Sequence, residues 1–143
     1  MEHLAILRQP FLDSILSGEK TIESRWYKFK KAPFGMIKKG EIVYFKEAGK
    51  NVSAKAEVEK ALFFDGLDAE KIRQIIEKYG GRIGIDFSYE EKVKDKKFCT
   101  LIFVKNVCKI APFEIDKKGY GNMAAWITLK NINDIRVKNN RLK

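Results

Sequence analysis

The chain has 143 residues, of which 45% are hydrophobic and 34% are charged, and its net charge is +10. This apolar content excludes an intrinsically disordered chain, and the length suits one folded domain over residues 1–143. No apolar run approaches the roughly 20 residues that a membrane-spanning helix needs, and the N-terminus is too mixed for a secretory signal. We therefore expect a cytoplasmic protein without a membrane segment. The few glutamines among many lysines and glutamates are typical of a thermophilic source.

Metal ligands and catalytic sets are scarce in the sequence. The single histidine, His3, and the two cysteines cannot supply a zinc cluster, and His3 alone makes a Ser–His–Asp triad improbable. We expect His3 to be a surface residue near the terminus. The sequence therefore predicts no metal site and no cofactor.

Positive charge is concentrated in two segments. Residues 27–40 hold five lysines and residues 136–143 hold four basic residues, and neither segment contains an acid. Together they account for nine of the ten net charges, so the rest of the chain is nearly neutral. Concentrated positive charge is the expected footprint of a polyanion-binding protein, although a basic tail that serves only solubility has the same composition. The lysines of the first segment are Lys28, Lys30, Lys31, Lys38 and Lys39.

The N-terminal stretch predicts a strand, a short helix and a second strand. Residues 3–7 are apolar enough for a strand, and apolar residues recur at helical spacing over 11–16. Gly18 stands where helices commonly end in a left-handed residue. Alternation over 20–27 then predicts the second strand.

Charged residues share one face of this second strand. Glu23 and Arg25 lie side by side on it, and Lys20 stands at the turn before it. One interpretation is the solvated outer face of an antiparallel sheet. The other is the wall of a cleft, in which Arg25 would hold a phosphate or a base edge and Glu23 would accept from an amino group.

Two neighbouring motifs here resemble a known family. They are LSGEKTIESR at 16–25 and KGEIVYF at 39–45. Both are similar to the ASCH domain, the activating-signal-cointegrator homology domain of the PUA-like superfamily. The resemblance implies an α+β fold with a PUA-like β-barrel core of mostly antiparallel strands and a few flanking helices. It also implies RNA binding in a cleft over one end of the barrel.

The same resemblance raises an enzymatic alternative. Some bacterial ASCH proteins are amidohydrolases that act on N4-acetylcytidine with a lysine, a threonine and a glutamate. Lys20 matches that lysine, but Glu23 stands in place of the threonine, which counts against the activity. Glu57 and Glu59 are candidates for the partner glutamate. If the chain is an enzyme, Lys20 would be activated by burial near Arg25, and Glu23 would be the proton acceptor.

The remaining chain predicts one long helix and four strands. Asp68 suits an N-cap for a helix that Gly80 and Gly81 would stop, and Ser88 would cap a short helix in the irregular segment 83–95. Alternation or continuous apolar runs predict strands over 41–47, 52–64, 98–110 and 123–129, with the third of them central and buried.

Aromatic and basic residues in these parts are further binding candidates. Lys46 would reach the cleft end of the sheet beside Lys20, or else reach solvent from the end of its strand. Tyr120 and Trp126 would face a base in the cleft, although a tryptophan in an apolar run is more often core. Phe29 and Phe34 lie among the loop lysines, where they either offer stacking surfaces or pack back into the core.

The sequence therefore favours an RNA-binding module over an enzyme. The alternatives are an amidohydrolase acting on an acylated nucleoside such as N4-acetylcytidine, and a protein-interaction module of RNA-related machinery. The candidate ligand-binding residues are Lys20, Glu23, Arg25, Lys28, Lys30, Lys31, Lys38, Lys39, Lys46, Tyr120 and Trp126.

Overall fold

One six-stranded sheet and three helices account for most of the residues that the computed structural model describes, which are 1–117, 119–121 and 123–138. Single turns of 3-10 helix cover Phe87–Tyr89 and Ile132–Asp134. The helices are α1 (Phe11–Ser17), α2 (Ala69–Ile83) and α3 (Glu90–Val93). The strands are β1 (Glu2–Leu7), β2 (Ile22–Tyr27), β3 (Ile42–Glu47), β4 (Val52–Phe64), β5 (Phe98–Phe113) and β6 (Trp126–Leu129).

The strand order is β2-β5-β4-β3-β1-β6, and the sheet is mostly antiparallel. Only β1 and β3 pair in parallel among the described strands. The long β4–β5 ladder shifts register three times. Such bulges increase the local twist, so this ladder curls the sheet. The observed architecture confirms the predicted α+β class with a barrel-like sheet and a few helices.

The inside of the curl is filled by apolar side chains from every strand except β2. The alternation that predicted β4 is confirmed, since Val52, Ala54, Ala56 and Val58 are all buried. The last three lie in the inner cluster, whereas Val52, beyond a register shift, packs in a separate cluster with Leu4 and Ile127. On the outside, α2 packs against the apolar face of β2 and β5. The inner cluster includes Ala5, Leu7, Val43, Phe45, Ile102 and Trp126, and the α2 cluster includes Ile22, Trp26, Ile72, Ile76, Leu101 and Phe103.

Helix α2 begins as predicted but ends later. The Asp68 side chain accepts a hydrogen bond from the Lys71 N–H at 2.8 Å, which confirms the N-cap. The predicted stop at Gly80 was wrong, because the helix continues to a left-handed Gly84 with φ of +88°. A larger residue does not fit at Gly80, because a Cβ there would lie 2.9 Å from the Ile85 carbonyl oxygen.

The two adjacent glycines of α2 should therefore respond oppositely to alanine. Gly80→Ala is expected to destabilise the protein by about 1–3 kcal/mol through overpacking. Gly81→Ala meets nothing within 4 Å, so the better helix propensity of alanine should stabilise the protein by about 0.5–1 kcal/mol. Urea denaturation of both variants measures the difference. Effects of the same sign would contradict the packing role of Gly80.

Three other sequence predictions need correction. Asp86, and not Ser88, caps the short helical segment before α3, accepting from the Ser88 N–H at 2.9 Å. Strand β5 is internal as expected, but its burial ends near Val104, because β2 pairs only with its first half. The last strand begins at Trp126 and not at residue 123. None of the described helices has the length and apolar character needed to cross a membrane.

Candidate functional site

Lys20 is a buried ammonium with all of its donors engaged. Its Nζ donates to the carbonyl oxygens of Ile22 at 2.9 Å and Ile83 at 2.7 Å, and lies 3.3 Å from Glu23 Oε1. An ammonium has three N–H donors, so these three acceptors use all of them. Because Ile83 is the last residue of α2, the positive charge also lies at the favourable C-terminal end of the helix. Lys20 thus joins α2 to β2.

Glu23 is the carboxylate that compensates the buried cations. Its Oε1 accepts from the Ser24 N–H at 2.9 Å, and its Oε2 accepts from Arg25 Nη2 at 3.2 Å. Burial alone would raise the pKa of Glu23, but the charges of Lys20 and Arg25, helped by the Ser24 N–H, hold it below the usual 4.5. Glu23 is therefore ionised at neutral pH, on a buried wall and not on a solvated strand face.

Arg25 joins the two ends of the curled sheet. Its guanidinium donates to the carbonyl oxygens of Ala125 at 3.3 Å and Ile6 at 3.2 Å. In a flat sheet β2 and β1 would be roughly 19 Å apart, at about 4.8 Å per strand, which no arginine could span. Within the described chain, Arg25 Nε is buried without a hydrogen-bond partner. The guanidinium lies 5.2 Å from the centre of the Trp126 ring.

A polar chain continues behind Arg25. The Trp126 indole N–H lies 3.3 Å from His3 Nδ1, and His3 Nε2 lies 2.8 Å from Glu41 Oε1. Because the indole can only donate, we assign the His3 proton to Nε2. Burial lowers the pKa of His3 below 6.5, although hydrogen bonding to Glu41 opposes this. The expectation of a surface His3 was wrong, since the side chain is fully buried.

A pocket of about 420 Å³ opens beside these groups. Its walls come from β2, the end of β1, the last turn of α2, and α3. Four aromatic side chains line it, namely Phe11, Trp26, Tyr27 and Tyr89. Five cationic side chains and one carboxylate line it as well, namely Arg8, Lys20, Arg25, Lys92 and Lys96, with Glu23.

Seven of these ten lining residues were not among the predicted binding residues, namely Arg8, Phe11, Trp26, Tyr27, Tyr89, Lys92 and Lys96. Arg8 follows β1, whereas Tyr89, Lys92 and Lys96 come from the segment 83–96 that carries no clear periodicity. Lys92 lies in α3 and Lys96 lies three residues beyond its end, so no helical spacing relates the two lysines. Among the described residues, no three His, Cys, Asp or Glu side chains are grouped so that they could hold a metal ion.

Two of the predicted loop lysines lie next to the pocket. Lys28 Nζ is 3.7 Å from Asp95, one residue from the pocket-lining Lys96. Lys31 Nζ lies 4.3 Å from the centre of the Tyr27 ring, which forms part of the pocket wall. The start of the basic loop therefore borders the pocket.

The rest of the loop lies elsewhere. Lys30 is 5.8 Å from the ring of Phe34, which packs back against two other phenylalanines, whereas Phe29 is 77% exposed. The prediction of core packing is thus wrong for Phe29, whereas Phe34 is partly buried among neighbouring rings outside the core clusters. Lys38 and Lys39 precede β3, at the end of β1 that is opposite to the pocket.

Lys46 and Tyr120 do not line the pocket. Lys46 pairs with Ile6 in the sheet, on the face opposite to the inward Phe45, and its side chain is largely buried there. Burial lowers the pKa of Lys46, and the Lys117 charge adds to this effect. Tyr120 is 45% exposed in a turn. For the amidohydrolase alternative, neither Glu57, paired with Lys105 at 3.1 Å, nor Glu59 reaches the pocket.

The predicted C-terminal tail is described only at its start. Arg136 forms an isolated bridge with Ile115, and its guanidinium lies 4.3 Å from the centre of the Phe113 ring. Residues 139–143, with Arg141 and Lys143 among them, lie outside the described residues. The structure thus brings together Lys20, Glu23 and Arg25, with Trp126 beneath Arg25.

Comparison with known proteins gives structural matches alone. No family model matches the sequence, and a search of curated proteins finds no match. The crystal structure of ASCH from Zymomonas mobilis matches with a TM-score of 0.65 and 18% identity, over 90% of this chain and 87% of that chain. A variant of the same protein matches with a TM-score of 0.70, also at 18% identity, over 93% of each chain. This chain has an ASCH-like fold.

The ASCH-like fold extends well beyond the two motifs that first indicated it. Those motifs end at residue 45, whereas the structural match covers nine-tenths of the chain. The crystal structure of a hypothetical protein shares the fold at a TM-score of 0.52 and 23% identity, over 77% of this chain and 100% of that chain. In this ASCH-like fold, the LSGEKTIESR motif supplies Lys20, Glu23 and Arg25 to the pocket.

Proposed function

We propose that the protein binds single-stranded RNA or a nucleotide in the pocket beside β2. The composition of the pocket carries this proposal: five cationic side chains face one carboxylate, and four aromatic side chains line the same walls. Cations attract phosphates, and aromatic rings stack on bases with about 1–3 kcal/mol for each base. The volume of about 420 Å³ lies within the range of roughly 300–1,000 Å³ typical of small-ligand sites.

The inner charges of the pocket favour binding over hydrolysis. Lys20 already donates to two carbonyl oxygens and contacts Glu23, so it would have to lose these contacts before it could act as a nucleophile. The hydroxyl of Thr21, the remaining threonine of the motif, accepts from Arg82 at 2.9 Å and does not line the pocket. The arrangement therefore supports a fixed binding wall more than an amidohydrolase.

Fluorescence anisotropy with a short single-stranded RNA tests the proposal. We expect affinity to fall with salt, with a log–log slope of about −0.7 for each phosphate neutralised. Tyr89→Ala, which removes a pocket aromatic, should weaken binding by about 5- to 150-fold. Phe87→Ala is the matched control, because Phe87 is an exposed aromatic on the same turn that does not line the pocket. Circular dichroism checks that both variants fold.

Each alternative function predicts a different result. Salt-sensitive binding that Tyr89→Ala leaves intact would assign RNA binding to the basic loop and tail instead of the pocket. Binding no tighter than that of a lysine-matched control protein would favour a protein-interaction module. Turnover of N4-acetylcytidine that Lys20→Ala abolishes would establish the amidohydrolase.

A further inference from the structure

The acidic residues around α3 are all engaged away from the pocket. Glu90 pairs with Arg73 at 3.1 Å, and Glu91 pairs with Lys94 at 2.6 Å. Asp95 pairs with Lys28 at 3.7 Å, and none of these cations lines the pocket. The two lysines of this segment that do line the pocket, Lys92 and Lys96, are thus left without an acidic partner among the described residues.

Arg8, which follows β1, lines the same pocket. Lys92 Nζ lies 5.8 Å from the centre of the Tyr89 ring. Burial and then the Glu23 charge raise the pKa of Tyr89, while the charges of Arg25 and Arg8 partly offset the rise. Arg8 and Lys92 therefore both place positive charge near Tyr89. Like the two lysines, Arg8 has no acidic partner within the described part of the chain.

The inner cations of the pocket, Lys20 and Arg25, differ from the outer cations, Arg8, Lys92 and Lys96, in the hydrogen-bond donors that they can offer a ligand. Lys20 has no donor left, and the terminal nitrogens of Arg25 already serve Glu23 and two carbonyl oxygens. The remaining Nε of Arg25 has no partner among the described residues but is buried, out of reach of an entering group. Arg8 and Lys92 are exposed and Lys96 is partly exposed, with no acidic partner. An anionic group entering the pocket would meet these outer cations first, and they have donors to offer it.

We infer that Arg8, Lys92 and Lys96 form a phosphate site at the mouth of the pocket. The ligand would then be a nucleotide or an RNA segment that carries a phosphate, and not a neutral nucleoside. This inference rests on the proposed function, since the pocket aromatics must hold the base. The phosphate is either the terminal group of a mononucleotide or a phosphodiester of RNA. In both cases the base lies against the aromatic walls while the three cations contact phosphate oxygens.

Calorimetric titration of ribonucleosides and their 5′-monophosphates tests the phosphate site. At low salt we expect the best-bound monophosphate to bind at least about 10-fold tighter than its nucleoside, since hydrogen bonds to charged groups are worth that much. The variant Lys92→Gln/Lys96→Gln should reduce this ratio to within about 3-fold. Lys94→Gln is the control for removing a nearby positive charge, because this lysine pairs with Glu91 and does not line the pocket.

A trinucleotide without terminal phosphates separates the two phosphate sources. If it loses affinity in Lys92→Gln/Lys96→Gln while monophosphates bind no tighter than nucleosides, the site holds a phosphodiester. If the affinities of the monophosphates and of the trinucleotide are unchanged in Lys92→Gln/Lys96→Gln while Tyr89→Ala still weakens RNA binding, the phosphate site is overturned and the proposed function stands. If wild-type protein binds none of these ligands, the proposed function itself fails.

Discussion

Glu23→Ala is expected to lower the free energy of unfolding by about 3–5 kcal/mol, the usual consequence of removing one partner from a buried ion pair. The substitution leaves Lys20 and Arg25 facing each other as buried charges without a counterion. Lys20 is only 3% exposed, so solvent screens its charge weakly once the carboxylate is lost. Glu23→Gln, which keeps the size of the side chain, should also destabilise the protein. Urea denaturation measures both losses.

Two comparisons show whether the charge of Glu23 is responsible. Glu57→Gln removes a carboxylate from the solvent-exposed pair with Lys105, and should cost no more than about 1 kcal/mol. Lys20→Met/Glu23→Gln should lose less stability than the sum of its two single substitutions, because neither member of that pair is then left alone. A loss below about 1 kcal/mol for Glu23→Gln would contradict this account of the site.

Trp126→Ala is expected to destabilise the protein by about 3–5 kcal/mol. The indole is buried in the inner cluster, lies beneath the Arg25 guanidinium and donates towards His3. Its loss opens a cavity where β6 meets the Arg25 contact between the sheet ends. The midpoint of urea unfolding reports the change.

Trp126→Phe separates ring packing from the indole N–H. It keeps an aromatic ring for Arg25 but loses the donor to His3, so we expect a smaller loss of about 1–3 kcal/mol. Phe29→Ala is a control for removing an aromatic residue, since Phe29 is 77% exposed and should change stability by at most about 0.5 kcal/mol. Equal losses for Trp126→Phe and Trp126→Ala would assign the whole effect to the N–H.

Sequence patterns predicted the elements whose cause is local. The alternation over 52–64 matches β4 at both ends, because each inward residue needs only to be apolar at a spacing of two. Asp68 and Gly18 were identified correctly, since a cap depends on the few residues around it. The motif at 20–25 identified three of the pocket residues, because they are close neighbours along one strand and the turn before it.

The errors concern residues whose role depends on distant partners. His3 is buried because Thr128 and Trp126 cover it from the far end of the chain. Gly80 depends on the later approach of the Ile85 carbonyl, which no helical periodicity reveals. The pocket lining by Lys92 and Lys96 follows from the packing of α3 near the edge of β2, which no local pattern encodes.

The bond from Arg25 to the Ala125 carbonyl spans 100 residues of sequence, and the contact from His3 to Thr128 spans 125. During synthesis, a nascent chain therefore carries the motif at 20–25 long before its closing contacts exist. Because strand pairings of such long range form slowly, the barrel is expected to close after the local β3–β4 hairpin and after β4 has paired with β5, which follows the helical segment. An incomplete chain would expose the buried charges of Lys20, Glu23 and Arg25 on an unpaired sheet edge. The pocket, which Ala125 helps to line, can then be completed only once β6 has left the ribosome.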